Sequence, residues 1–388
     1  MEDTPRLYDT LFQVLRQHEK WLDRRHAKNL AWMVAALIQT GTVSLTAWIP
    51  FIRSRAQYAQ STQRRFRRWL ENDRIHVNQL YGPLITEALS EWGEQTLYLA
   101  LDTSMLWSEY CMIRLAVIYR GRSLPLIWKV LEHGSSSVAF SEYQELLSAA
   151  SKLLPVGCKV VFTADRGFAD TKLMGFLSKK LRWQWRIRIK GSFMLHRRGH
   201  DSCRINRISL KSGEALFWRH VSVTAKRFGP VHLALARHSS NSERWSVLSS
   251  EPTDVTTFDE YGLRFDIEES FLDDKSNGFQ LEASWIRSAE ALGRLCFILA
   301  VATLFLVSQG TAVVEQGDRR FVDPHWFRGN SYFRIGWQWV KHALTKGWSL
   351  ITTLHLSGEP DPEPCIASRT SALNQPPLRF TVSFADFL

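Results

Sequence analysis

Apolar residues at helical spacing dominate the first 95 residues of the chain. In LYDTLFQVL they stand at positions 7, 11, 14 and 15, and NLAWMVAALIQ continues the amphipathic pattern. Gly41 separates this segment from VSLTAWIPFI, and a helix, a glycine turn and a short second helix are typical of a helix-turn-helix. Because many helical bundles share this pattern, it predicts a helical domain over residues 1–95 and indicates DNA binding only weakly.

An arginine-rich segment follows, with the sequence RSRAQYAQSTQRRFRRWLEND. Seven arginines and two acids fall between Arg53 and Arg74, and Phe66, Trp69 and Leu70 give the segment an apolar side. Such a segment is either a solvated surface helix or a helix that binds phosphates, and we expect it to contact DNA. The candidate DNA-binding residues are Arg64, Arg65, Arg67 and Arg68.

From residue 96 onward the pattern is that of buried strands. TLYLALDTS, CMIRLAVIYRG, SLPLIWKVL and KVVFTADRGFAD predict four strands, and FSEYQELLSAASKLL predicts a helix before the fourth. The first and the fourth strand end in Asp102 and Asp165. Three strands, a helix and a fourth strand, with acids ending the first and the fourth, is the order of an RNase H-like core.

Two segments of opposite charge come next. Residues 179–243 read as strands broken by Gly, Ser and Asn, and 15 Lys and Arg stand against 2 acids between Lys179 and Arg237. This excess is larger than the net charge of +11 on the whole chain, and arginine-rich strands suit contact with phosphates. Residues 251–290 reverse the sign, with 11 acids against three bases. Acids that hold cations beside bases that hold phosphates would produce such an alternation.

The acidic segment contains EYGLRFDIEESFLDDKS. Tyr261, Arg264, Glu268 and Lys275 are spaced 3, 4 and 7 residues apart, which places them within roughly 60° of one another around a helix. A solvated face with salt bridges at helical spacing is one interpretation. The other is a functional face.

Length and composition limit the remaining possibilities. A chain of 388 residues predicts two or three domains, and its pI near 9.5 suggests an anionic partner, either nucleic acid or an anionic membrane surface.

The longest apolar run, Leu295–Val307, is shorter than the roughly 20 residues of a membrane span, so we expect a buried core helix. Five scattered cysteines without a CxxC pair and an acidic, polar N-terminus favour a reducing compartment and no signal peptide. From Ser357 the chain is rich in Pro and Ser, which predicts a mobile extension.

Three carboxylates carry the candidate chemistry. Asp102 and Asp165 end strands, and Glu268 lies on a helix; chemistry alone does not separate it from Glu269. Oxygen ligands of this kind suit Mg²⁺ or Mn²⁺, and two such ions about 4 Å apart hold the attacking and the leaving oxygen of a phosphodiester displacement. A lone acid at a strand end is usually a turn former. Three acids in this order, around a cationic segment, are much less expected by chance.

The spacing Tyr261, two residues, Arg264, three residues, Glu268, six residues, Lys275 matches the signature of DDE transposases of insertion-sequence family four. ALDTS around Asp102 and TADRGF, in the second block, are similar to that family's other catalytic blocks, and the arginine-rich segment resembles its N-terminal DNA-contacting stretch. The resemblance covers about residues 25–310. It selects Glu268 over its neighbour.

The resemblance implies a cut-and-paste transposase of α/β class, with an RNase H-like catalytic core interrupted by a β-rich insertion and preceded by a helical DNA-binding domain. Residues 1–95 would bind transposon ends, 96–178 and 251–310 would form the core, 179–250 the insertion, and 311–388 a helical region with a tail. The partners would be double-stranded DNA, both terminal inverted repeats and target, and a second copy of the chain in the DNA complex. The protein would act on the nucleoid in a bacterial cytoplasm.

The resemblance also assigns roles to single residues. Asp102, Asp165 and Glu268 would bind two Mg²⁺ ions, for which Mn²⁺ would substitute, while Tyr261, Arg264 and Lys275 would contact phosphates near the cleavage site. Relatives can form a DNA hairpin and hold a flipped base on a Trp of the insertion. Trp245 matches that position by its spacing to Pro252, although packing in the β core is the alternative. Further residues expected along the same DNA path are Arg186, Arg188 and Lys190.

Two other functions compete with transposition. A catalytically silent, transposase-derived protein would bind the same DNA without cutting it. An RNase H-like nuclease would cut without joining a 3′-hydroxyl end to a target. A membrane-surface protein is the remote alternative, because the basic charge lies on predicted strands rather than on an amphipathic helix.

Overall fold

The computed structural model of the protein describes residues 3–17, 21, 23–239, 243–364 and 381–383. Five helices form the N-terminal part: α1 (Asp3–Arg16), α2 (Arg24–Thr40), α3 (Leu45–Trp48), α4 (Ala59–Leu70) and α5 (Val77–Ala88). Asp23 caps α2 by accepting a hydrogen bond from the backbone N–H of Arg25. Gly41 ends α2 at φ 68°, in the left-handed region that favours glycine. Helices therefore lie where the apolar spacing predicted them.

A sheet begins after the helices with β1 (Thr96–Leu106), β2 (Tyr110–Tyr119) and β3 (Arg122–Glu132). The chain continues through α6 (Phe140–Ala150), β4 (Lys159–Ala164), α7 (Thr171–Phe176) and β5 (Gln184–Arg188). β1, β2 and β3 are antiparallel neighbours, whereas β4 is parallel to β1 and β5 is parallel to β4. The strand order at this end of the sheet is β3-β2-β1-β4-β5. The predicted succession of three strands, a helix and a fourth strand is confirmed.

One strand end differs from the prediction. β1 does not end at Asp102, because it keeps pairing with β2 as far as Leu106 opposite Tyr110. Its parallel pairing with β4 ends earlier, at Leu101 opposite Ala164. The sheet therefore opens on one side of β1 directly before Asp102.

The basic segment continues the same sheet. Its strands are β6 (Met194–His196), β7 (Cys203–Arg204), β8 (Glu214–Val223), β9 (Phe228–Arg237) and β10 (Arg244–Ser249). β10 lies antiparallel beside β5, and the order continues as β10-β9-β8-β6-β7, while β11 (Thr381–Ser383) pairs with β8. β5 falls within the segment 179–250, yet its parallel pairing with β4 joins it to the preceding strands. One sheet with both parallel and antiparallel strand pairs thus contains all eleven strands of the described residues.

The acidic segment is helical, but not as one regular helix. α8 (Thr256–Gly262) leads through a 3₁₀ turn at Leu263–Phe265 into α9 (Asp266–Leu272), and a π-helical turn follows at Asp273–Asn277. The backbone stays in the right-handed helical region at the junctions from α8 to the π-helical turn, whereas Gln280 and Trp285, later in the segment, are left-handed.

Two further helices complete the fold, α10 (Ala289–Glu315) and α11 (Tyr332–Lys346). α10 is long and apolar enough to cross a membrane, but most of its apolar stretch is buried inside the protein. It packs against β3, α2, α5 and α11. The prediction of a buried core helix over Leu295–Val307 is confirmed.

Part of the predicted tail is fixed in place. Asp361 accepts hydrogen bonds from Arg328 and Tyr332, and Glu363 accepts one from Arg319. Residues 365–380 and 384–388 of the same prediction lie outside the described residues. The cysteines of the described part of the chain form no disulfide: Cys111, Cys158, Cys203 and Cys296.

Candidate active site

The parallel register of β1 and β4 brings two carboxylates together. Leu101 and Ala164 are the last paired residues, and Asp102 and Asp165 follow them on adjacent strands. The Asp165 carboxylate accepts a hydrogen bond from the backbone N–H of Gly167 at 2.7 Å. A Cβ atom on Gly167 would come within 2.9 Å of an Asp165 oxygen, so glycine leaves room for this carboxylate to fold over the turn.

The third carboxylate, Glu268, lies on α9, which packs against the sheet. Ser270 exchanges hydrogen bonds with Ser123 of β3 at 2.7–3.0 Å. Six residues after Glu268, Asp274 forms a fully buried ion pair with Arg114 of β2. These contacts fix one face of the acidic segment on the sheet and leave Glu268 on the other face, 53% exposed.

Arg264 links the two parts of the site. Its guanidinium is buried, with Nη2 donating to Glu268 at 2.6 Å and Nη1 donating to Asp102 at 3.3 Å. It also lies 4.5 Å from the centre of the Phe265 ring. The arginine therefore bridges two of the predicted metal ligands instead of facing outward, and its contact with a DNA phosphate stays a prediction.

The electrostatics of Asp102 reflect its neighbours. Burial raises the pKa of Asp102 to about 6, and the charges of Asp165 and Glu268 also raise it. The backbone N–H of Thr103, 2.8 Å away, and the Arg264 guanidinium act in the opposite direction. Asp102 thus lies close enough to each of the other two predicted carboxylates to interact with its charge.

The three predicted carboxylates are suitable ligands for a divalent cation, but their side chains must rearrange to bind one. Within the described ranges, no three His, Cys, Asp or Glu side chains are grouped so that they could hold a metal ion as they stand. The carboxylates of Asp102, Asp165 and Glu268 are hard oxygen donors of the kind that Mg²⁺ prefers. Glu268 is half exposed, so its side chain can turn if Arg264 releases it.

Tyr261 and Trp245 lie in one aromatic cluster that borders the carboxylates. The Arg264 guanidinium is 5.9 Å from the centre of the Tyr261 ring, and burial together with the charge of Asp165 raises the pKa of Tyr261. Tyr261 is fully buried, and its ring packs edge-on against the Trp245 ring at 5.6 Å between centres. Phe258 and Phe265 complete the cluster. The cluster attaches α8 to β10. Tyr261 would have to leave it to contact DNA, whereas Trp245 is half-buried and keeps part of its ring exposed.

Lys275 is the fourth residue of the spacing pattern. It donates a hydrogen bond to the carbonyl oxygen of Met105 and lies 3.6 Å from Glu282. Met105 stands three residues after Asp102 on β1, so Lys275 lies beside the part of the strand that follows Asp102. Its predicted phosphate contact is untested by this placement.

Arg186 does not line an open surface. It is buried on β5, where it donates to Glu260 at 2.7 Å and to Glu251 at 2.9 Å. Glu260 also accepts a hydrogen bond from Tyr98 of β1. Both ion pairs occupy a buried guanidinium and anchor α8 to the sheet. A contact between Arg186 and DNA stays a prediction and would require these pairs to break.

The other two basic residues of this strand region are more accessible. Arg188 pairs with Glu243 at 2.7 Å near the surface, and Lys190 is exposed. Both remain candidates for a phosphate contact.

The arginines of α4 divide into two kinds. Arg64, Arg67 and Arg68 are exposed, with Arg67 paired to Glu71 at 3.0 Å. Arg65 is half-buried over the Phe66 ring, and burial lowers the pKa of its guanidinium. Arg64 and Arg68 are therefore the clearest candidates for contact with phosphates.

Sequence reasoning missed the residues that position the site. Arg114 and Asp274 hold the acidic segment, and Glu260 neutralises a buried arginine. A signal existed for the first of these: CMIRLAVIY is an apolar strand with a single charge, and a buried charge needs a partner. Its partner lies 160 residues away along the chain, which no local pattern reveals.

Comparison with known proteins places the chain as follows. The sequence model of a family described as "Transposase DDE domain" matches residues 107–305, which is just over half of the chain. This range includes Asp165 and Glu268 and begins five residues after Asp102. No curated protein matches the chain. Five chains of solved structures match, among them one in the "Cryo-EM structure of piggyBac transposase synaptic complex with hairpin DNA". That likeness has 10% sequence identity and a TM-score of 0.42, over 96% of this chain and 86% of the other.

Proposed function

Because the chain belongs to the transposase DDE domain family, we propose that it is a cut-and-paste DNA transposase with Asp102, Asp165 and Glu268 as its catalytic carboxylates. The observation that carries the proposal is the shared register of β1 and β4. It sets the first two carboxylates side by side, and Glu268 acts on the pKa of Asp102 from the adjacent helix.

The strand order supports an RNase H-like core. Three antiparallel strands, then two strands parallel to β1 in the order β3-β2-β1-β4-β5, are the arrangement expected of that fold. The basic strands β6–β10 then form the insertion, and α8 and α9 return the chain to the site.

Asp102, Asp165 and Glu268 would hold two Mg²⁺ ions, or Mn²⁺ in their place, through their carboxylate oxygens. Such ions activate a water or a 3′-hydroxyl and stabilise the departing oxygen of a phosphodiester. Arg264 is the side chain that must exchange partners, since it now binds two of these carboxylates. Once released, its planar donors suit a phosphate of the cut strand.

DNA would be held by separate basic surfaces. The exposed arginines of α4 and the basic insertion strands would hold terminal inverted repeats, with two copies of the chain on two ends. Trp245, if it leaves its aromatic cluster, would stack on a flipped base at a hairpin end. The 3′-hydroxyl ends would then join target DNA.

The test is cleavage of a duplex that carries the element's own terminal repeat, in Mg²⁺ or Mn²⁺. Glu268→Gln should abolish nicking at the repeat boundary while repeat binding stays largely intact, because the amide loses the charge that binds metal. Glu269→Gln is the matched control, since this half-exposed neighbour contacts Arg122 and not the site. It should keep activity.

Three other outcomes would redirect the assignment. Tight repeat binding without cutting in either metal would favour the silent DNA-binding protein. Cutting without joining of the 3′-hydroxyl to a target would favour a nuclease. Equal loss in both glutamate variants would reject Glu268 as the specific ligand.

A further inference from the structure

The connection between α10 and α11, residues 316–331, exposes three large aromatic side chains, and we call it the aromatic loop. Phe321, Trp326 and Phe327 are 59%, 81% and 65% exposed. Single exposed apolar residues are normal on a protein surface, whereas several in one short loop mark an interaction site. None of the three lies on an element that builds the candidate active site.

A buried carboxylate holds the loop in shape. Asp323 is fully buried and accepts hydrogen bonds from the Arg319 guanidinium, the His325 ring, the Gly329 backbone and the Asn330 amide. A buried carboxylate with this many donors within eleven residues fixes the backbone around it. The aromatic side chains therefore project from a defined surface.

Two buried arginines attach the loop to the residues that follow α11. Arg319 pairs with Glu363, and Arg328 pairs with Asp361 at 2.9 Å. Tyr332, at the start of α11, donates to the same Asp361 at 2.6 Å. Because the loop is ordered in advance, little conformational entropy remains to be lost when its aromatic rings bind a partner.

Exposed basic residues lie on the aromatic loop and on α11, which follows it. The Arg320 guanidinium lies 4.5 Å from the centre of the Trp326 ring, and the exposed charged residues of α11 are Arg334, Lys341 and Lys346. The two acids between residues 316 and 347 are Asp318, which is half-buried, and the buried Asp323. An apolar protein pocket would fit the rings but would not account for the basic surroundings.

We propose that the aromatic loop and the face of α11 that carries Arg334 and Lys341, seven residues apart, bind single-stranded DNA. Exposed rings need a base whose face is open, and the faces of paired bases are covered in a duplex. Bases would stack on Trp326 and Phe327, while Arg320 and the α11 cations would hold the phosphates. The inference rests on the proposed function only for the kind of ligand, since it assigns a second DNA site outside the catalytic elements.

The test measures binding of the full chain to a labelled single strand in EDTA, so that no cleavage occurs. A strand of equal length with abasic sites in place of bases carries the same phosphates and serves as the ligand control. Trp326→Ala with Phe327→Ala should weaken binding to the ordinary strand about tenfold or more, since each lost stack weakens binding severalfold. Binding to the abasic strand should not change.

Two variants complete the design. Trp326→Phe keeps an aromatic face and should retain most of the affinity. Val156→Ser changes an exposed apolar residue elsewhere and should have no effect. Unfolding midpoints should be unchanged because the altered side chains are exposed. If the double variant is unstable, Trp326→Phe and Arg320→Gln are compared on the two strands instead. Trp326→Phe should keep the affinity for the ordinary strand, whereas Arg320→Gln should weaken binding to both strands, because it removes a cation that would hold phosphates.

Unchanged affinity of the double variant for the ordinary strand would overturn the proposal. Equal losses on both strands would do so too, because the rings would then act without bases. A change in oligomeric state by light scattering, with DNA affinity intact, would assign the loop to contact between copies of the chain. The assay contains no metal and changes no active-site residue, so its failure is distinct from failure of the cleavage assay.

Discussion

Arg114 has the most demanding environment among the residues that position the candidate active site. It lies on a strand that is buried along its whole length, directly opposite Asp102, and its charge is balanced by Asp274. Two further nitrogen atoms of the guanidinium, Nε and Nη1, have no hydrogen-bond partner among the described residues. The arginine therefore depends on a single carboxylate.

Asp274→Asn tests this dependence. Removing one partner of a buried pair leaves an uncompensated charge, and we expect a loss of about 3–5 kcal/mol in the free energy of unfolding. Urea unfolding followed by circular dichroism measures the loss. Asp273→Asn is the matched control, because the neighbouring ion pair with Arg122 is partly exposed and should cost about 1 kcal/mol or less.

A double substitution separates the effect of the buried charge from the effect of side-chain shape. Arg114→Met combined with Asp274→Leu removes both charges and should recover most of the lost stability. If the double variant is no more stable than Asp274→Asn, the loss comes from shape and not from charge.

Arg186 shows what residue composition cannot reveal. It belongs to the most basic segment of the sequence, and the charge of that segment says nothing about the partners of individual residues. Glu251 and Glu260, 65 and 74 residues further along, neutralise it inside the fold. Local charge therefore predicts the sign of a surface better than the role of any one arginine in it.

At the scale of elements, the sequence predicts what depends on local pattern. The strands β1–β4 and α6 follow from apolar runs and amphipathic spacing, and the site's two aspartates follow from their places in those strands. Two features depend on distant partners instead. β1 extends past Asp102 because β2 pairs with it, and the acidic segment divides into short helical pieces that follow the sheet.

The contact between α10 and α11 allows an element-scale prediction. A Cβ atom on Gly336 would collide with the carbonyl oxygen of Leu306, and one on Gly310 with that of Tyr332. Gly336→Ala should push the helices apart and cost about 1–3 kcal/mol of unfolding free energy. Thermal unfolding of the purified variant measures the effect.

Gly293→Ala on α10 is the control. No atom lies within 4 Å of its added Cβ, so the alanine should stabilise the helix by about 0.5–1 kcal/mol. If both substitutions shift the unfolding midpoint in the same direction, close packing is not the reason for Gly336.

At the scale of the whole molecule, one sheet joins surfaces of opposite charge. The carboxylates lie where β1 and β4 separate, while the basic strands β6–β10 continue the same sheet beyond β5. The helical N-terminal part adds a basic surface on α4, whose apolar side is buried and whose Arg64, Arg67 and Arg68 face solvent. DNA held by both surfaces would be bound mainly through its phosphates.

Salt dependence tests this view of the whole molecule. Neutralised phosphates release counterions, so the logarithm of affinity falls linearly with the logarithm of salt concentration, by about 0.9 for each contact. Arg64→Ala and Arg68→Ala should each weaken binding to the terminal repeat and flatten this slope by about that amount. Arg25→Ala changes another exposed arginine, on α2, that pairs with Asp23, and it should leave the slope unchanged. If all three variants flatten the slope equally, net charge and not the α4 surface determines binding.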